Sequence, residues 1–168
     1  MFAVPENTVS TAVSPTAANP LLRHPVRTAL EFAADRDRWR NILRYDPDER
    51  FASLLERTPD QEVWLLSWLP GQEAEPHDHG LTTGAFTVVS GQLTETVTRK
   101  TVDGRVLTEV HTPSAGQSRV FGPGYVHQVR NIGPDPAISV HVYRAGGRTI
   151  RPYRLDPVDG PLPGRPAD

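Results

Sequence analysis

The sequence predicts an all-β domain, a sandwich or barrel of short antiparallel strands preceded by short helices. Three observations carry this. After Pro59 the chain is built of short runs rich in β-branched and aromatic residues, punctuated by Gly and Pro. Asp103-Gly104 sits between two such runs, where a tight turn between twisted strands needs the positive φ values that Asp and Gly tolerate. Before Pro59, apolar residues recur at helical rather than alternating spacing.

In chain order, Met1 to Pro20 is rich in Ser, Thr, Ala and Pro, with too few large apolar groups to offset the entropy of ordering a backbone, and is expected to be disordered. From Val26 to Tyr45, Val26, Leu30, Ala33, Trp39, Ile42 and Leu43 fit one or two short amphipathic helices. Arg50 to Arg57 fits a helical face through Phe51, Leu54 and Leu55 but equally a short strand. The expected strands are Val63 to Leu69, Ala85 to Ser90, Leu93 to Lys100, Arg105 to His111, Ser118 to Phe121, His127 to Asn131 and Ala137 to Tyr143. Four regions follow: 1–20 disordered, 21–57 helical and packed on the barrel, 58–155 the barrel, and 156–168 a Pro- and Gly-rich tail that wraps the surface or frays.

Composition narrows the function classes. The 168 residues suffice for one domain with a sizeable core. With 18 basic against 20 acidic residues, the net charge of -2 gives no basic footprint for nucleic acid or an anionic membrane, so the expected partner is a small molecule. The absence of cysteine excludes disulfides, thiolate metal ligands and a cysteine nucleophile, leaving nitrogen and oxygen as the possible metal donors. No basic, apolar leader or membrane span opens the chain, which reads as cytoplasmic. The oligomeric state is not legible.

His77 and His79 flank Asp78 just beyond the first long strand run. Alternate residues of a strand share a face, so both imidazoles can point into one interior and supply two ligands to a first-row transition metal. His127 follows the rigid turn Gly122-Pro123-Gly124 and is the natural third ligand. The pair alone also fits surface or structural histidines; His24 and His111 have no comparable setting and read as structural or exposed.

At these residues the sequence resembles the cupin superfamily. Gly71, five residues, His77-Asp78-His79, four residues, Gly84, six residues and Gly91 reproduce the spacing of the first cupin motif, with Gly84 where many cupins carry a glutamate ligand. Gly116, five residues, Gly122-Pro123-Gly124, two residues, His127, three residues and Asn131 match the second, with Gly122 in place of its usual proline. The resemblance implies the double-stranded β-helix, or jelly-roll, barrel. Three neutral ligands without the glutamate, together with Ser139-Val140-His141-Val142-Tyr143, resemble the cysteine dioxygenases and other thiol dioxygenases, over Glu62 to about Arg144. Read by pattern alone, Ser139, His141 and Tyr143 share one strand face that fits a polar interior or a solvent-facing strip with the valines in the core.

What the resemblance implies is an Fe(II) ion on His77, His79 and His127, a small thiol substrate, and dioxygen incorporated to give a sulfinic acid. Tyr143 would donate to the substrate or oxygen, His141 would orient the phenol, and Ser139 would fix the imidazole tautomer. Cysteine leads as substrate, and a 3-mercaptopropionate-type dioxygenase is the neighbouring alternative. A different cupin reaction and a non-catalytic metal- or ligand-binding cupin are the rivals. Cysteine dioxygenases hold the substrate carboxylate with an arginine two residues after an aromatic on an early strand. An ungapped alignment puts Phe51 at the aromatic and Ser53 at the arginine, leaving Arg50, Arg57 or Arg119 to supply the charge. Gly84 also occupies the place of a cysteine that some relatives join to the tyrosine, so no such crosslink is expected.

Overall fold

The computed structural model describes residues 23–144 and 147–165; the segment 1–20, expected to be disordered, lies outside them. One helix, α1 (Pro25–Ala34), is followed by a 3-10 turn over Arg36–Arg38 and by eleven strands: β1 (Ala52–Arg57), β2 (Gln61–Trp68), β3 (His77–Asp78), β4 (Gly84–Ser90), β5 (Thr94–Lys100), β6 (Val106–His111), β7 (Ser118–Phe121), β8 (His127–Arg130), β9 (Ala137–Arg144), β10 (Arg151–Asp156) and β11 (Gly160–Pro163). Five strands form a sheet in the order β1-β2-β9-β4-β7, and six form a second in the order β11-β10-β3-β8-β5-β6. The pairings are antiparallel. This is the jelly-roll barrel that the motifs imply.

The open segment at Arg50 to Arg57 is a strand, so the first sheet begins at Ala52 rather than at residue 58. Beyond Asp156, β11 returns along β10, which adds a hairpin at the edge of the second sheet. Lys100 pairs with Val106, and Thr101–Arg105 forms the hairpin loop, with Gly104 at a φ of 83° as the turn chemistry requires.

The helix begins where the sequence supplies a cap: the His24 imidazole accepts from the Val26 amide, and Pro25 takes the first helical position. Its buried face is Thr28, Ala29 and Phe32, whereas Leu30, expected in the apolar stripe, is 40% exposed. The helix packs on β4 and β9. Ala29, Phe32, Trp39, Val63, Leu65, Ile138, Val140 and Val142 form one core on this outer side of the first sheet. A second core, with Leu66, Trp68, Phe86, Val88, Leu93 and Val129, lies inside the barrel. Each such side chain contributes about 1.5–3 kcal/mol by leaving water.

Covering both sides of β9 settles the strip-or-interior alternative. Val140 and Val142 pack under the helix, so the alternating face that carries Ser139, His141 and Tyr143 turns into the barrel, and all three are buried. Asn131, the last residue of the second motif, closes the barrel end: its amide donates to the Trp68 and Asp135 carbonyls and its carbonyl oxygen accepts from the Gly133 amide. Among the described residues, no helix is long and apolar enough to cross a membrane.

Candidate active site

His77 and His127 pair directly across β3 and β8, and His79 follows one residue beyond β3. The three imidazoles are buried, and their ligand atoms lie within 4.8 Å of one another. Each ring is held from behind through Nδ1: His77 by the Glu75 carbonyl at 2.6 Å, His79 by the Thr149 carbonyl at 2.7 Å, and His127 by the Glu95 carboxylate at 2.8 Å. With oxygen acceptors at all three Nδ1 atoms, the protons reside there and the Nε2 lone pairs converge. Nε2 of His79 and Nε2 of His127 approach to 3.1 Å, an arrangement that two facing lone pairs favour only with a cation between them. Burial pushes the His77 imidazole down to about 3 and the His79 imidazole to about 4, with the neighbouring His127 adding to both. Both are therefore neutral donors at pH 7, and the three buried histidines fit a metal ion of the nitrogen-binding first-row type.

Two carboxylates behind this set escaped the sequence reading. Glu95 on β5 is fully buried; it accepts from His127, from the Arg119 guanidinium and from the Tyr125 hydroxyl. Burial alone would raise its pKa, but the bonds from His127 and Arg119 outweigh that and hold it below the usual carboxylate range. Asp78 is likewise buried, with both oxygens on Arg151 and a further bond from Tyr153, which ties β10 to the strand carrying the ligands. Glu95→Gln is expected to weaken metal binding by about 10- to 100-fold. Titration against a competing chelator measures this, and unchanged affinity would make Glu95 a purely structural anchor.

On the opposite sheet, Ser139, His141 and Tyr143 form one hydrogen-bonded row. Trp68 Nε1 donates to Ser139 Oγ at 2.9 Å, Ser139 Oγ lies 2.9 Å from His141 Nε2, and His141 Nδ1 lies 3.3 Å from the Tyr143 hydroxyl. Because Trp68 can only donate, Ser139 is left to donate to Nε2, so the imidazole proton sits on Nδ1 and faces Tyr143. The His141 ring stacks on Phe86, centroids 4.9 Å apart and 13° between planes. Burial holds His141 well below its usual pKa and raises that of Tyr143. The chain of donors thus leaves the phenol proton free to point into the cavity.

That cavity is lined by the three converging histidines, by His141 and Tyr143, and by Arg50 and Arg148. Ser139 sits behind it. The aligned position Ser53 lies elsewhere: Phe51 packs on the helix-side core and Ala52 on the inner one, so alternation turns Arg50 inward and Ser53 outward. Arg57 is at the surface on Glu62, and Arg119 is engaged by Glu95. Arg148, which follows β9, carries no periodic signal that would mark it in the sequence.

Gly84 shows why the fourth cupin ligand is missing. A Cβ there would lie 2.2 Å from the Val142 carbonyl oxygen and 2.5 Å from the Phe121 ring. Phe121 occupies the space instead and packs against His79, with centroids 4.6 Å apart. Since the chain has no cysteine, no thioether to Tyr143 can form, and an intact-mass measurement is expected to return the mass of the plain sequence.

Residues 25–155 match the family model for cysteine dioxygenase type I. Among solved structures, the chain is similar to the TT1209 protein of Thermus thermophilus, at 21% identity and a TM-score of 0.55 over 63% of this chain and 92% of that one. It is also similar to an uncharacterised protein with a double-stranded β-helix domain from Klebsiella pneumoniae, at 29% identity and a TM-score of 0.52 over 66% of this chain and 90% of that one. A recombinant oxalate oxidase in complex with glycolate matches at 20% identity and a TM-score of 0.54, over 62% of this chain and 55% of that one.

Proposed function

The chain belongs to the cysteine dioxygenase type I family of the cupin superfamily, and from that premise we propose that it is a cytoplasmic, iron(II)-dependent dioxygenase of cysteine or a related small thiol. The observation that carries this reading is the single cavity shared by His77, His79, His127 and the Tyr143 hydroxyl. In the reaction, one thiol and one dioxygen give one sulfinic acid. Sulfur loses four electrons, dioxygen gains them, both oxygen atoms end on sulfur, and no further reductant is consumed.

The histidines would hold the iron, and the chemistry that ion supplies when bound is activation of dioxygen beside a thiolate. The protein's own contribution is positional. Arg50 offers a guanidinium to a substrate carboxylate. Tyr143 presents its phenol proton to the substrate, and Trp68, Ser139 and His141 keep that proton directed into the cavity. Phe121 and the buried histidine rings limit water around the reacting atoms.

Anaerobic purification, reconstitution with iron(II), and oxygen uptake with cysteine, 3-mercaptopropionate and cysteamine test the proposal. The expected product is the thiol plus two oxygen atoms by mass. Oxygen uptake with none of these or related thiols would point to a non-catalytic cupin. Tyr143→Phe is expected to cut turnover roughly 10- to 100-fold, the worth of one hydrogen bond to a charged partner, while iron content stays as in the parent. Unchanged turnover would reduce the row to a structural strand.

A further inference from the structure

Two arginines reach the same cavity from separate parts of the chain, Arg50 just before β1 and Arg148 after β9. Each rides on a tryptophan of β2. The Arg50 guanidinium carbon lies 4.6 Å from the Trp68 ring centre, and that of Arg148 lies 4.8 Å from the Trp64 ring centre. Trp64 and Trp68 are four residues apart on one strand, so both platforms face the interior that also receives His141 and Tyr143. The aromatic faces hold the cations in place without neutralising them.

The other inward or strand-tying arginines of the fold behave differently. Arg119 is matched by Glu95 and Arg151 by Asp78. Arg50 and Arg148 form no ion pair with a carboxylate among the described residues, and each has a buried Nε atom with no hydrogen-bond partner. Both arginines line one cavity; burial lowers the Arg50 pKa, and the nearby Arg148 charge lowers it further, so the two cations repel each other there. Arg148 also hydrogen-bonds the neutral Tyr143 hydroxyl, but two like charges held together without a countercharge are costly unless the ligand supplies two. A monocarboxylate satisfies one guanidinium and leaves the other unpaired.

We infer that the substrate is a small thiol carrying two carboxylates, one on Arg50 and one on Arg148, with its sulfur towards His77, His79 and His127. The sulfur part rests on the thiol dioxygenase reading; the two-carboxylate clamp stands on the arginines alone.

Calorimetric titration of the full-length protein with succinate and with propionate isolates the clamp from the chemistry. Succinate is expected to bind at least about tenfold more tightly, the worth of a second charge-assisted contact. That advantage is expected to vanish in Arg50→Gln and in Arg148→Gln, each of which retains propionate binding through the remaining arginine. Equal affinity for the two acids in the unmodified protein would overturn the inference without reference to any variant. Oxygen uptake by the iron-loaded protein then compares mercaptosuccinate with 3-mercaptopropionate, and a kcat/KM about tenfold higher for the dicarboxylate is expected. Preference for succinate with no oxygen uptake on any thiol would leave the clamp standing and remove the dioxygenase reading. Turnover of 3-mercaptopropionate or cysteine with no preference for succinate would do the reverse.

Discussion

Alanine in place of His77, His79 or His127 is expected to lower metal affinity roughly 100-fold per site, since a structural metal worth about 10–16 kcal/mol over four ligands loses about 3 kcal/mol with each. The three variants are not equivalent in stability. His77 and His79 bond carbonyls of exposed residues, which water can satisfy once the imidazole is gone. His127 bonds the fully buried Glu95, and its loss leaves a carboxylate with Arg119 as its countercharge and Tyr125 as its one remaining neutral donor. His77→Ala is therefore the variant expected to stay folded while losing metal, and His127→Ala the one expected to lose both. Metal analysis beside denaturant unfolding separates the two effects. Full metal content in a folded His77→Ala protein would remove that residue from the site.

Restoring the absent cupin ligand is expected to fail on steric grounds. In Gly84→Glu the first side-chain atom already meets the Val142 carbonyl oxygen at 2.2 Å, and the Phe121 ring closes the other direction. Gly84 lies on β4 between β9 and β7, so neither neighbouring backbone can withdraw without breaking ladder hydrogen bonds. The cost is expected to be about 4 kcal/mol or more, at the upper end of single substitutions. Because the obstacle includes backbone, the double variant with Phe121→Ala recovers only the ring clash. A Gly84→Glu protein with the stability of the parent, measured by urea unfolding, would show that the sheet yields at this point.

The three converging histidines were legible because their spacing is local: two histidines on one strand end and a third behind a Gly-Pro-Gly turn. The inward face of β9 was legible only as an alternative, since alternation gives two faces without saying which one meets the helix. Glu95 and Trp68 were not legible, because their partners stand 32 and 71 residues away and only the closure of the two sheets brings them together. Arg50 and Ser53 stayed open alternatives because an ungapped alignment counts residues but not strand faces. The outward Phe51 next to the inward Arg50 shows the alternation that fixes the register.

The placement of the tryptophans has an optical consequence. Of the chain's three indoles, Trp64 and Trp68 carry the cavity arginines over their rings, whereas Trp39 is buried on the far side of the first sheet, with Arg36 over its ring and its Nε1 donating to the Phe32 carbonyl. A ligand that draws Arg50 and Arg148 towards itself changes the electric field at two chromophores and leaves the third as an internal standard. Intrinsic fluorescence is thus a label-free gauge of cavity filling: emission from Trp64 and Trp68 is expected to shift on titration, and the Trp39 contribution to stay constant. A Trp39→Phe protein would report the cavity signal almost free of background.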